Sequence, residues 1–144
     1  SQIIEGSTIP TFVINRDHVL THWNRAMENL TGAKAKTMVG TTRQSTPFWG
    51  EERPTMADVI LDQISEDEIQ KLYGGKWRKS VLIEEAYEAE VFFPRLGENG
   101  KWCWFTAAPI KGFFSRSSFF VKESLPISAA CTSLIITSTL ASRR

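Results

Sequence analysis

The chain has 144 residues, with 17 basic against 16 acidic side chains and a formal net charge of +1. That length suits one domain able to bury a core without metals or disulfides, and the balanced charge offers no global field for nucleic acid or an anionic membrane. Cys103 and Cys131 lack metal-ligand spacing and make no disulfide framework, so a reducing, cytoplasmic setting is the default. No apolar run reaches the roughly 18–20 residues that span a bilayer, and the start lacks the basic and apolar stretches of a signal peptide, so no direct membrane insertion is expected.

Residues 1–7 form a polar lead-in. Thr11 to Asn15 reads as a strand, Asn15 to His18 supplies turn residues, and Val19 to Trp23 resumes β character, predicting a short hairpin. Asn24 is placed to N-cap a helix over Arg25 to Thr31, with Met27 and Leu30 facing the core and Gly32 as the stop. Lys34 to Val39 predicts one further turn, ended by Gly40, and Pro47-Phe48-Trp49 an anchored aromatic loop. Pro54 suits the first turn of a helix whose apolar face is Met56, Val59, Ile60 and Ile64. Ser65 and Glu68 match a capping box opening a second helix with Ile69, Leu72 and Tyr73 on one stripe, ended by Gly74-Gly75. Lys76 to Glu84, containing Trp77, reads as a basic and then apolar connector.

Glu85 to Ile110 reads as a long antiparallel hairpin turning at Glu98-Asn99-Gly100, where Asn-Gly tolerates the positive φ of a tight turn. In the first arm Tyr87, Ala89, Val91 and Phe93 share one face and Glu88 and Glu90 the other. The second arm, Trp102 to Ala108, is apolar on both faces, with Pro109 expected to stop the ladder. On the register of that tight turn, Cys103, Phe105 and Ala107 form the outer face, an apolar patch of the kind that marks a homodimer contact. Strands, then short helices, then strands with antiparallel connections make the fold class α+β, helices on one face of an antiparallel sheet.

Thr11 to Asp17, Val19 to Trp23 and Asn24-Arg25-Ala26 through Leu30-Thr31-Gly32 resemble the opening of a PAS domain. Glu52-Arg53-Pro54, Tyr73-Gly74-Gly75-Lys76-Trp77 and Trp104 to Ile110 resemble a subgroup found as sensor modules in bacterial histidine kinases and diguanylate cyclases. The resemblance covers about residues 8–111. It implies a five-stranded antiparallel sheet of order 2-1-5-4-3, short helices packed on one face, often a small-molecule pocket between them, and frequent homodimerisation through the outer face. After Lys111 the chain departs from the family: serine-rich sequence replaces the usual final strand and acidic exit, as a divergent terminus or a lost reading frame would. The missing fifth strand is then assigned to Phe119 to Val121 rather than to Ser133 to Ser138, because the later segment needs a long connection. This bounds the sensor domain at residues 8–125 and leaves 126–144 as a peripheral tail.

No convergent set of acid, base and nucleophile announces an enzyme. His18 in a turn and His22 on a strand read as surface or edge residues. The stretch Glu66 to Tyr73 holds no histidine to ligate haem, and Cys103 lies in a strand rather than at the start of a pocket helix, where light-oxygen-voltage flavin chemistry needs it. The sequence therefore names no cofactor. The residues expected to line a ligand pocket are Phe12, Ile14, Met27, Leu30, Ile60, Leu72, Tyr73, Tyr87 and Val91, with Trp77 as a stacking ring and Arg43 and Arg53 in its roof as surface ion-pair or anion-binding groups. Lys76, Arg78 and Lys79 around Trp77 are too small a cluster to predict nucleic-acid binding. The reading is a sensor that binds a small ligand or partner and regulates an output kinase or cyclase domain of a two-component or similar system. A ligand-free interaction or dimerisation module is the alternative.

Overall fold

Asn24 decides where the first hairpin ends and the first helix begins. Its Oδ1 accepts from the Thr11 and Met27 amides, each at 3.0 Å, and its Nδ2 donates to the Ile9 carbonyl at 2.9 Å. One buried amide thus caps a helix and fixes the entry to the sheet. The computed structural model describes residues 5–6, 8–82, 84–111, 127–131 and 135–137. Strand β1 (Phe12–Ile14) pairs antiparallel with β2 (Leu20–Trp23), Phe12 opposite Trp23 and Ile14 opposite Leu20, with a bulge between. Helix α1 (Arg25–Thr31) follows and ends as predicted at Gly32, whose φ of 80° lets its N–H reach the Glu28 carbonyl at 2.7 Å.

The predicted extra turn is α2 (Ala35–Met38), and the aromatic loop closes into a short helix, α3 (Thr46–Trp49), that buries Phe48. Helices α4 (Met56–Leu61) and α5 (Glu66–Tyr73) come next. Two details of their starts differ from expectation. Pro54 precedes the N-cap, which is Thr55, and the capping box is formed there: Asp58 N donates to Thr55 Oγ1 at 3.4 Å, and Thr55 N donates to Asp58 Oδ2 at 2.8 Å. Ser65 occupies the N-cap position of α5 without a side-chain cap bond, so α5 relies on Glu66, Asp67 and Glu68 in its first turn.

Strand β3 (Trp77–Lys79) lies in the stretch read as a connector. It is recruited by pairing rather than by its own pattern, Trp77 opposite Ala89 and Lys79 opposite Tyr87. Strands β4 (Tyr87–Phe93) and β5 (Lys101–Ala107) form the long hairpin, in a register that corrects the sequence reading. A two-residue Asn99-Gly100 turn would set Glu98 against Lys101. The connection instead runs over 94–100 and sets Phe93 against Lys101, Val91 against Cys103 and Ala89 against Phe105. An odd change of register turns every side chain over. Cys103, Phe105 and Ala107 therefore join Ala89 and Phe93 in the core, and Trp102, Trp104 and Thr106 face outward with Glu88, Glu90 and Phe92.

Past Ala108 the ladder does not stop: Pro109, which has no N–H to offer, opens a further strand, β6 (Pro109–Lys111). The remaining strands, β7 (Ile127–Cys131) and β8 (Ile135–Thr137), belong to the segment assigned to the tail. Neighbour order is β2-β1-β7-β6 in one four-stranded sheet and β3-β4-β5-β8 in the other. Strands β7 and β8 run antiparallel along consecutive parts of one edge, from Lys111 opposite Ile127 to Trp104 opposite Thr137, and Cys131 also pairs with Ile14. The slot between the first strand and the Trp102 arm is thus filled from the later part of the chain. The assignment of the central strand to Phe119 to Val121 is corrected on that point, those residues themselves lying outside the described ones. With β5 and β6 counted as one arm and β7 and β8 as one segment, the order follows the expected 2-1-5-4-3, and β3 adds a further strand at the outer edge beside β4.

Among the described residues, helices α1 to α5 all contribute to one core with the strands. Met27, Met38, Phe48, Val59 and Ile69 from the helices form one core with Phe12, Ile14, Ala89, Phe93 and Phe105 from the strands, and α4 packs on β5, β6 and β7. Because Phe105 is a core residue and Trp104 is not, Phe105→Ala is expected to lower the unfolding free energy by about 3–5 kcal/mol. Trp104→Ala should cost clearly less. Denaturant unfolding of the two variants checks the register directly, since the reverse order would restore the tight-turn pairing.

Candidate functional site

The residues expected to line a pocket meet in one place. Phe12, Ile14, Met27 and Tyr73 are buried, and Leu30, Ile60, Leu72, Trp77, Tyr87 and Val91 pack partly buried against the same cluster. Tyr73 meets Phe105 edge-on at 5.7 Å between centroids and Trp49 at 6.5 Å. Its hydroxyl is buried and makes no hydrogen bond of good geometry, although the Met56 backbone amide is close enough to favour the phenolate slightly. Burial dominates and pushes the phenol well above its ordinary range, opposed by Arg53 and reinforced by Asp58.

Arg53 belongs to this region and Arg43 does not. The Arg53 guanidinium lies 4.2 Å over the Trp49 ring and 5.9 Å from that of Tyr73, and it donates to the Leu72 carbonyl at 3.2 Å. Its Nε is buried without a partner. Arg43 is exposed and donates to the Thr37 carbonyl at 3.1 Å, away from the pocket residues.

Beside Arg53 an open cleft of about 320 Å³ is lined by His18, Thr42, Gln44, Glu52, Pro54, Asp58 and Asp62 as well. Its centre is the Asp58 carboxylate. Oδ2 accepts from Thr55 N at 2.8 Å and Thr55 Oγ1 at 2.6 Å, while Oδ1 accepts from Gln44 Nε2 at 2.9 Å and His18 Nδ1 at 2.6 Å. The other imidazole nitrogen, Nε2, lies 2.8 Å from Asp62 Oδ1, so His18 is bracketed by two carboxylates. Gln44 also donates to the His18 carbonyl at 3.1 Å, which fixes its amide orientation and leaves Oε1 buried without a partner. Burial works to lower the His18 pKa, but hydrogen bonds and charge from Asp58 and Asp62 outweigh it, and the net direction is upward.

The sequence profile of the PAS fold family matches residues 1–74, just over half of the 144-residue chain. This chain belongs to the PAS fold family. Among solved structures it is similar to an RNA-binding light-oxygen-voltage receptor, at 14% identity and a TM-score of 0.53, over 96% of this chain and 32% of that one. It is also similar to the PAS domain of a protein from Colwellia psychrerythraea, at 12% identity, a TM-score of 0.46 and coverage of 96% and 93%. A third likeness is to the phage VqmA–DPO complex, at 12% identity, a TM-score of 0.48 and coverage of 99% and 53%. The chain thus spans about a third of the receptor and about half of the phage protein. No curated protein sequence matches it.

The outer sheet face of the PAS domain carries a second feature. Lys76 Nζ lies 5.0 Å from the Trp102 ring and the Arg78 guanidinium 4.7 Å from that of Trp104, while Phe92 and Trp102 pack at 5.6 Å. A cleft of about 300 Å³ lined by Gly75, Lys76, Trp77, Arg78, Glu90 and Trp104 runs along this face. Trp77 itself packs toward Tyr87 and donates to Gln70 Oε1 at 2.7 Å. Cys103 is buried, and burial, opposed by Lys101, pushes its thiol up to about 11.

The PAS domain's His18–Asp58–Asp62 cluster is absent from the predicted site residues. Thr55-x-x-Asp58 is a legible capping pattern, and Asp58 and Asp62 stand one helical turn apart, but nothing local joins either to a histidine some forty positions earlier. Two outcomes follow. Asp58→Ala should lower stability by about 1–3 kcal/mol, because it orphans the Gln44 and Thr55 donors while the Thr55 cap on the residue-58 amide is kept, measured by chemical denaturation. Because the folded pKa of His18 is raised, its stabilising contribution is complete below the free-imidazole value of about 6.5 and lost as pH rises through the folded value. The stability difference between the unmodified protein and His18→Gln should therefore shrink with rising pH.

Proposed function

We propose that this PAS domain senses a small ligand between sheet and helices and regulates an attached output domain, a kinase or cyclase of bacterial signal transduction. The observation that carries this reading is the Tyr73 hydroxyl, buried without a good hydrogen bond on a ring that packs against Trp49 and Phe105. A buried polar group without a partner costs about 1–3 kcal/mol, and a ligand's polar atom would remove that cost. The partly buried ring of Leu30, Ile60, Leu72, Trp77, Tyr87 and Val91 would give the ligand apolar walls. No reaction is assigned to the domain. Its signal would arise from different affinities for two packings of helices on sheet.

A second reading, an interaction or dimerisation module, is favoured by the outer face, where Trp102 and Trp104 are half-buried and Phe92 is 40% exposed. The contact would use these residues, not Phe105. Native mass spectrometry of freshly purified protein separates the readings. A ligand adduct weakened by Leu30→Trp, whose larger ring would compete with a ligand for the space between sheet and helices, supports sensing. A ligand-free dimer converted to monomer by Trp104→Glu supports the module.

A further inference from the structure

His18 sits at the tip of the β1–β2 turn with φ of 66°, a left-handed conformation that a non-glycine residue adopts only when its surroundings hold it there. The turn itself supplies part of that hold. Asn15 Oδ1 accepts from the amides of Asp17 at 2.8 Å and Val19 at 3.1 Å, and the His18 amide donates to the Asn15 carbonyl at 2.9 Å. The rest comes from α4: Nδ1 reaches Asp58 in the first turn of that helix and Nε2 reaches Asp62 at its C-cap.

Both contacts are hydrogen bonds only while both nitrogens carry protons. A neutral imidazole has one N–H, so one lone pair would then face a carboxylate. The two carboxylates are unequal. The Asp58 side chain is 9% exposed and is also held by Thr55 and Gln44, whereas that of Asp62 is 51% exposed and free to turn into water. The other charged groups on the same cleft, Glu52 and Arg53, are opposite in sign, and Arg53 is turned onto Trp49.

We infer that His18, Asp58 and Asp62 form a proton-operated clamp: protonated His18 ties the β1–β2 turn to both ends of α4, and loss of its proton releases the Asp62 end alone. Helix α4 packs on β5, β6 and β7, so the released end lies on the element that bears on the centre of the sheet. The input to this site is a proton. Its consequence for an output domain rests on the sensory reading above, whereas the clamp itself does not.

The test is an NMR pH titration of the full chain, following the His18 ring nitrogens together with the backbone amides of residues 15–19 and 55–64. The expected result is a His18 transition above about 6.5, with the Asp62 to Ile64 amides moving in the same step and the Thr55 to Asp58 amides staying in place. In Asp62→Asn, a substitution at a half-exposed site, the His18 transition should move down and the Asp62 to Ile64 amides should cease to follow it. A His18 transition at or below 6.5, Asp62-end amides indifferent to it, or an unchanged transition in Asp62→Asn would each overturn the clamp. Finding no ligand by mass spectrometry would count against small-molecule sensing and leave this titration untouched.

Discussion

A buried carboxylate with every acceptor position in use holds the helical layer to the hairpin. Asp58 takes two donors from the Thr55 cap on one oxygen and Gln44 and His18 on the other, so a single side chain starts α4, anchors the 42–44 loop and pins the β1–β2 turn. The cost of removing a charge from water is offset because each carboxylate oxygen accepts two hydrogen bonds, from the local Thr55 and from the distant Gln44 and His18. Asn24 does the corresponding work on the other side of that hairpin, joining Thr11, Met27 and Ile9 through one amide. Between them these two polar residues decide where two helices begin.

The sheet contributes a different constraint. Once Phe93 stands opposite Lys101, parity sends Ala89, Cys103, Phe105 and Ala107 toward the helices and leaves two tryptophans outside, each beneath a basic side chain. Exposed ion pairs such as Arg78–Glu88 at 2.8 Å and Lys79–Glu66 at 2.7 Å add little to stability. Lys79–Glu66 does tie β3 to the start of α5, where β3 has little apolar surface of its own to bury. The domain thus has two chemically distinct sides: an aromatic core with a buried phenol between sheet and helices, and an aromatic outer face. Ligand sensing would use the first and association the second.

The cleft at Asp58 belongs to neither side. It is bounded by a turn, two loops and a helix, and its charges of both signs are mostly engaged with one another. A bracketed imidazole in such a place is better suited to hold or lose a proton than to attack a substrate, since neither nitrogen has a free lone pair while both carboxylates are in contact.

What the sequence determined by itself was local. The Asn24 cap, the Gly32 stop, the apolar faces of α4 and α5 and the alternation of Tyr87 to Phe93 each follow from residues within a few positions of one another, and together with the PAS resemblance they gave the α+β class and the strand order. Most of the predicted pocket residues gather because helix stripes and strand parity must share one core. Tertiary structure decided everything that depends on a distant partner. The length of the 94–100 connection set which face of β5 is inside, pairing made a strand of Trp77–Lys79, and open edges of β1 and β5 drew in 127–131 and 135–137. His18 met Asp58 and Asp62 for the same reason: a hydrogen bond across the fold leaves no period, spacing or composition in the chain that makes it.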